Sequence, residues 1–474
     1  VTVIEGSLTA MVQPTARKRN GREQGPGPRL ALPLLSAAYL AAALPYSLLT
    51  RAWEPNDENA HATYVEYIVA HGSLPRIGLA NGVESHQPPL YYLLVAAWQE
   101  LLRIPAFVPS TSGIPGAPPR TAPGAWLTFW HHYTRAQHQD AVYLHELRLM
   151  SVFIGLATVL LSYGCARLVL SRPLSAFAAG LTVALFPKLL VVDSALTDDG
   201  LVIALSVLGL FMFLLSEEAR RQGDEARRRW LMLALGVSLG LAAITKFNSL
   251  PLAVLLLALA TLPALRSRAK MLDSAIAGAG FLATSLWWFV RNETLYGQVL
   301  ATKATEAYLK AWAPALIVPV PWTDASRFAR FVPSTLYHSV WYDGGANQWL
   351  LPNWMDNVLW AAAALSAVSA VGAVFGTRRD ARLRPTGALG GLAVAGSIVA
   401  GIMAVLLIAQ TTTQAEGRIA FVGLAGFAIV LVLGTDVGRP RGRLGRAAVF
   451  TWPALFVGVN VYVLATYLIP LGGL

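Results

Sequence analysis

The hydrophobic positions of this chain come in long runs. They fall at 30–50, 147–169, 176–193, 199–216, 230–245, 247–265, 271–290, 352–375, 385–409, 418–436 and 447–468. Each is near the roughly twenty residues that a helix needs to cross a hydrocarbon core about 30 Å thick, with 230–245 and 247–265 the tightest fits. The pattern predicts an all-α integral membrane protein of about 11 transmembrane helices. Most connections are short, but 51–146 and 291–351 are too long to be mere linkers, and long loops in compact proteins usually carry function. The first holds two helix-like pieces. At 57–71, Asn56 or Asp57 can cap a helix carrying Ala60, Tyr64, Tyr67 and Ile68. At 89–104, "PLYYLLVAAWQELLRI" is apolar with Tyr and Trp, a composition suited to the membrane surface. Interfacial helices are therefore expected in the first and fourth external loops. The chain divides into a basic, disordered tail at 1–29, a multi-span module at 30–468 and a short tail at 469–474.

Charge fixes the orientation. Twenty-three of the 37 Lys and Arg lie in the N-terminal tail and in alternate connections: Arg167 with Arg172, "EEARRQGDEARRR", "RSRAK", "TRRDARLR" and "GRPRGRLGR". This positive-inside pattern puts the tail in the cytoplasm and the two long loops outside. The net charge of +11 is thus topogenic, and a nucleic-acid partner is not expected. The tail has no apolar stretch of its own, so it does not read as a cleavable signal peptide, and the first span is its own anchor. The chain is 55% hydrophobic and only 13% charged, as a cell-membrane, multi-pass protein requires. Its one cysteine, Cys165, excludes an internal disulfide framework.

All eight histidines fall in the external segments. Two acidic groups lie there as well. "WEPNDENAHATYVEYIVAHGSLP" brings Glu54, Asp57, Glu58, His61 and Glu66 to the mouth of the first span, and "VVDSALTDDGL" brings Asp193, Asp198 and Asp199 to the turn after the third. Lys246, Arg291 and Arg418 stand at span ends on the same side. Carboxylates can deprotonate a hydroxyl or amine nucleophile. Fixed cations can hold a phosphate and stabilise charge on a departing one.

That arrangement resembles the polyprenyl-phosphate-dependent glycosyltransferases of the glycosyltransferase C superfamily, in their protein O-mannosyltransferase-like and aminoarabinose-transferase-like branches. "EPNDENAHATYVEYIVAHGSLP" followed by "HQPPLYYLL" is similar to their first external loop. "SALTDDGLVIALSVLGLF", "GLAAITKFNSLPL", "WWFVRNETLYG" and "QAEGRIAFVGLAG" are similar to four further segments, in the same order, over about residues 30–435. The resemblance implies that Asp57 is the catalytic base, that Asp198 or Asp199 matches the second-loop aspartate, and that Arg291 and Arg418 face the lipid phosphate. Glu58 joins the catalytic candidates and Lys246 the phosphate candidates; His61, His86, Gln87 and Tyr91 are the candidate substrate contacts. Two departures stand out. His86-Gln87 replaces the Glu-Lys of the aminoarabinose transferases, which argues against that activity itself. Ile419 replaces the Tyr of their Gly-Arg-Tyr, which removes one phosphate contact.

The expectation is an inverting hexosyl- or pentosyltransferase. It takes sugar from a polyprenyl-phosphate donor to a lipid, glycan or protein acceptor on the external face. No cofactor is required; a divalent cation is compatible with the motifs, and the metal is unknown. His131, His132 and His138 match no tight zinc spacing.

Each residue also has a plainer reading. Asp57 can be a helix N-cap and Glu58 a first-turn acid that complements the helix dipole. Asp198 and Asp199 can cap a span, Lys246 can snorkel, and Arg291 and Arg418 can anchor span ends. The aromatic residues of "WYDGGANQWLLPNWMDN" can form an interfacial belt. The alternative function is a membrane transporter or flippase, which would need charges at several depths rather than on one face.

Overall fold

The computed structural model describes residues 27–53, 55, 57–78, 83–107, 109, 135–262, 268–312, 320–344, 349–375, 383–384, 387–412, 415–437 and 443–471. Most of the 1–29 tail, the end of the 469–474 tail, Glu54, Asn56, His131 and His132 lie outside them, and of His138 only the backbone is described.

The described residues begin with α1 (Pro28–Leu49), α2 (Glu58–His71) and α3 (Leu90–Leu102). Then come α4 (Arg135–Val169), α5 (Pro173–Ala184), α6 (Pro187–Asp193), α7 (Asp199–Gln222), α8 (Glu225–Ala243), α9 (Leu250–Thr261) and α10 (Arg268–Tyr296). The second long segment holds α11 (Thr302–Trp312), α12 (Ala325–Ser339) and a small antiparallel hairpin of β1 (Asp343–Gly344) with β2 (Trp349–Leu350). The last part is α13 (Asn353–Phe375), α14 (Gly387–Ala409), a 3-10 segment Gly417–Gly423, α15 (Leu424–Val437), α16 (Arg443–Ala448), α17 (Thr451–Val463) and α18 (Ile469–Leu471).

Helices occur at every expected span, but not all are equally apolar. Among the described residues, seven helices are long and apolar enough to cross a membrane: Arg29–Leu49, Gln139–Val169, Asp199–Gln222, Asn353–Val374, Ala388–Ala409, Gly417–Val437 and Thr451–Leu468. The run at 176–193 is broken instead of continuous. Its two helices, α5 and α6, meet at 53°, which brings the number to eight if the bent pair counts as one span. The break follows from Phe186-Pro187: the proline starts α6, and Phe186 before it is extended (φ −65°, ψ 113°), as steric clash with the proline ring demands. The runs at 230–245, 247–265 and 271–290 correspond to α8, α9 and α10. Helix α8 opens with Glu225, Arg227, Arg228 and Arg229, and α9 has only 12 residues. The two helix-like pieces of the first long loop appear as α2 and α3.

Close packing replaces the hydrophobic effect as the force between apolar helices. At Gly236 and Gly240 of α8, a Cβ would run into the backbone of Ala277 and Phe281 on α10, so this pair of helices meets backbone to backbone. A single buried core unites α1, α4 to α10, α13 to α15 and α17. A second cluster, containing Tyr64, Tyr91, Tyr92, Leu144 and Leu196, sits under α2 and α3 at one end of the bundle. Asp198 and Asp199 lie in the chain between Leu196 and Leu201 of this cluster.

Candidate functional site

The entry into α2 is unusual. Trp53 and Asp57 both have positive φ, 67° and 62°. For a residue with a Cβ this left-handed region costs about 1–2 kcal/mol, and Asp is among the few that visit it. An N-cap that bonds its own helix has extended backbone. Asp57 does not, and its side chain makes no capping bond. Its carbonyl instead accepts from the N–H groups of Ala60 and His61, both at 2.9 Å. Among the described residues the Asp57 carboxylate has no hydrogen-bond or ion-pair partner. The plainer reading of Asp57 as a capping side chain is therefore not what the backbone shows.

Glu58, next in line, is engaged on every side and fully buried. Arg148 of α4 donates to it through Nε at 2.7 Å and Nη2 at 2.6 Å. The N–H groups of Trp53 (3.0 Å) and Leu196 (2.9 Å) complete the shell. Arg148 also donates to the carbonyls of Ser47, Thr50 and Arg51. One ion pair thus ties the end of α1, the start of α2, α4 and the α6–α7 turn together. Sequence reasoning missed Arg148, which lies inside the apolar run at 147–169.

The α6–α7 turn delivers Asp198 and Asp199. Lys246, extended between α8 and the following 3-10 turn, bonds both carboxylates at 2.7 Å. Arg418 reaches Asp199 at 3.1 Å through Nη1 and Glu416 at 2.7 Å through Nε. Gly417 lets this segment lie flat on α12: its N–H donates to Ser339 Oγ at 2.8 Å, and a Cβ would strike the Val340 backbone. Lys188 of α6 pairs with Asp343 of the hairpin, within electrostatic reach of Arg418 and Asp199. Asp193 stays apart, buried and accepting from Tyr39 at 2.8 Å. Of the predicted groups, Asp198, Asp199, Lys246 and Arg418 therefore meet. Asp57 lies within electrostatic reach of Arg418.

Arg291 does not join this network. Its Nη2 donates to the Pro75 carbonyl at 2.8 Å, and its guanidinium lies 4.8 Å from the Trp288 ring centre. Among the described residues no carboxylate is within ion-pair distance of it. Tyr296, on the same helix, accepts from the Ile77 N–H at 2.9 Å. The end of α10 thus grips the strand of chain that follows α2.

On the α2 side, His61 Nδ1 bonds the Tyr92 hydroxyl at 2.8 Å, and the Tyr64 and Tyr92 rings stack at 3.9 Å. Tyr91 is fully buried with its hydroxyl 3.1 Å from Ser151 Oγ. Tyr64 donates to the Gln87 carbonyl at 3.5 Å. His86 sits in the 3-10 turn Val83–His86, its ring 6.3 Å from that of Tyr308.

Glu84, in the same turn, escaped sequence reasoning, as did Glu416 and Lys188. It is buried, and burial pushes its carboxyl up to about 7; His61 and Lys246 pull it down, and the charges of Asp57 and Asp198 push it further up. A carboxyl whose folded value exceeds its unfolded one binds more protons folded than unfolded between the two. Stability therefore falls as pH rises from about 4.5 to 7. Glu84→Gln removes this dependence. Thermal unfolding of the purified protein across that window should show a flatter profile for the variant. A parallel profile would mean that Glu84 does not titrate there.

Among the described residues no three His, Cys, Asp or Glu side chains are placed to hold a metal ion.

Residues 133–429 match a family model described as "Predicted membrane protein (DUF2142)". No curated protein matches the chain. Among solved structures, the chain is similar to ArnT from Cupriavidus metallidurans bound to undecaprenyl phosphate, with 16% identity and a TM-score of 0.51 over 92% of this chain and 63% of that one. It is also similar to the arabinosyltransferase EmbB from Mycobacterium smegmatis (12% identity, TM-score 0.48, 98% of this chain, 40% of that one). A third is the S. cerevisiae protein O-mannosyltransferase Pmt1–Pmt2 complex bound to the sugar donor (13%, 0.38, 67% and 38%). The chain thus spans less than two thirds of the length of each of these proteins. The likeness to the first is one of fold, and the fold is glycosyltransferase-C-like.

Proposed function

The chain belongs to the DUF2142 family of predicted membrane proteins, and on that premise we propose that it is a membrane glycosyltransferase that uses a polyprenyl-phosphate sugar. The observation that carries this reading is Asp57. Among the described residues its carboxylate is neither a cap nor an ion-pair partner; it sits on strained backbone and lies within electrostatic reach of Arg418 in a cluster of buried charges. Strain and unspent polar groups concentrate where a fold serves chemistry. The choice of donor class is supported by the likeness in fold to a protein bound to undecaprenyl phosphate.

In the proposed reaction an acceptor hydroxyl or amine loses its proton to Asp57. Its oxygen or nitrogen forms a bond to the anomeric carbon from the face opposite the phosphate. The bond from that carbon to the phosphate oxygen breaks, with inversion, and the lipid phosphate leaves with the electron pair. Lys246 and Arg418 each already hold two carboxylates. They set the positions of Asp198 and Asp199. Among the described residues Arg291 holds none, so in this reading it is the cation that meets the phosphate first. Glu58, held by Arg148, anchors the start of α2 beside Asp57 rather than touching substrate. In this reading eleven helices cross the membrane, the site opens externally and no nucleotide takes part.

The test is transfer and donor binding with purified protein and a panel of polyprenyl-phosphate hexoses and pentoses. Arg291→Gln keeps an N–H donor for the Pro75 carbonyl and removes the charge. Donor affinity should fall about 10- to 100-fold, the worth of one or two charge-assisted hydrogen bonds. Unchanged donor binding in both Arg291→Gln and Arg418→Gln would place the phosphate elsewhere. A wild-type protein that transfers no sugar from any donor would defeat the reading.

A further inference from the structure

Glu84 has no task in the reaction as written. Its residue is 6% exposed, and among the described residues no donor lies within hydrogen-bond distance of Oε2. The nearest basic side-chain nitrogen among the described residues is His86 Nε2, 3.9 Å away. Around the carboxyl, within electrostatic reach, are Asp57 and His61 of α2 with Asp198 and Lys246 across the site. The turn does not depend on this carboxyl for its shape. Ser85 takes the Gly78 N–H at 3.4 Å and is hydrogen-bonded to Tyr308, and the Gln87 N–H closes the turn on the Glu84 carbonyl at 2.9 Å.

A buried carboxylate oxygen without a donor is costly, and a neutral side chain of similar size would serve the fold better. Three classes of ligand could satisfy it. A phosphate is repelled by Glu84 itself and by Asp57 and Asp198 beside it. A metal ion lacks the further ligands it needs, since the described residues bring no three such groups together. A sugar hydroxyl fits: O–H···O⁻ bonds are short and strong, and they orient a ring. The transferred sugar must lie beside Asp57, because its anomeric carbon meets the nucleophile there.

We propose that Glu84 Oε2 accepts a hydrogen bond from a ring hydroxyl of the transferred sugar and so fixes that ring against Asp57. The proposal rests on the glycosyltransferase reading above and deepens it. Glu84 is a binding residue; the reacting bonds are those already given.

The experiment compares wild type, Glu84→Gln and Glu84→Ala in detergent. The probes are farnesyl phosphate and farnesyl-phosphoryl mannose, glucose, galactose and arabinose. Wild type should bind at least one sugar-bearing probe about tenfold more tightly than farnesyl phosphate. Glu84→Ala should lose that increment and keep its affinity for farnesyl phosphate. Glu84→Gln keeps one acceptor oxygen and the side-chain volume, so it should keep part of the increment, about threefold, even if the alanine variant fails to fold. Its ligand-free melting temperature near neutral pH should equal or exceed that of wild type, because a buried charge has gone. An increment retained in full by the variants, or absent from wild type for every sugar, overturns the proposal, as does a lower melting temperature with unchanged sugar binding. Failure of farnesyl phosphate to bind the wild type would instead strike the lipid-donor reading itself, and this proposal with it.

Discussion

Asp57→Asn is expected to fold, insert and bind donor, yet to transfer sugar roughly 10²–10⁴ times more slowly, the usual share of general-base catalysis. Asparagine keeps the size of the side chain and tolerates the left-handed backbone at φ 62° as well as aspartate does. Only the basicity is removed. Asp57→Gly sharpens the comparison. Glycine adopts this conformation without steric cost, so the variant should be at least as stable as wild type and equally inactive. Asp57→Glu should be impaired because one extra methylene misplaces the base. The measurement is transfer from purified lipid donor alongside thermal stability for all four proteins. Near-normal turnover in the Asn variant would reduce Asp57 to a backbone conformation and nothing more.

The second large effect concerns stability. Arg148→Met should destabilise the protein by about 3–5 kcal/mol, because it leaves the Glu58 carboxylate buried without its counter-charge. Replacing both partners by apolar residues often rescues such a loss, but here it should not. Arg148 also satisfies the carbonyls of Ser47, Thr50 and Arg51, and Glu58 satisfies the N–H groups of Trp53 and Leu196. The double variant Glu58→Met with Arg148→Met would strand these backbone groups. Thermal inactivation of the two single variants and the double in detergent measures this. A double variant as stable as wild type would show that the pair is replaceable packing.

The spans were legible because runs of apolar residues at bilayer length leave little choice of structure. The break at Phe186-Pro187 was written in the sequence too, but prolines are tolerated inside membrane helices, as Pro33 and Pro45 of α1 are, so the signal is ambiguous. The meeting of Asp198, Asp199, Lys246 and Arg418 was foreshadowed by their shared place at span ends. Arg291 shared that place and does not meet them, because sequence gives the height of a residue on its helix and not its bearing. The backbone of Asp57 was hidden because φ at one residue leaves no periodic trace. Glu84 was hidden for a related reason: in a short turn, burial comes from what folds over it, here Tyr308 from more than two hundred residues away. Glu416 stands two residues before Arg418, and nothing in the sequence pattern shows that the two side chains pair.

The ion pair between Glu58 and Arg148 also sets a schedule. Its partners are separated by 90 residues, and the Leu196 N–H that completes the shell lies 138 residues after Glu58. At synthesis rates of about 5–20 residues per second, Glu58 emerges roughly 5–20 s before Arg148 is made. Lys246 follows later, and Arg418 arrives 360 residues after Glu58. During that interval the first loop has no means of closing around its acid. The nascent chain therefore waits with its chemistry unassembled, and the site is born at once, when the segment carrying Arg418 enters the membrane.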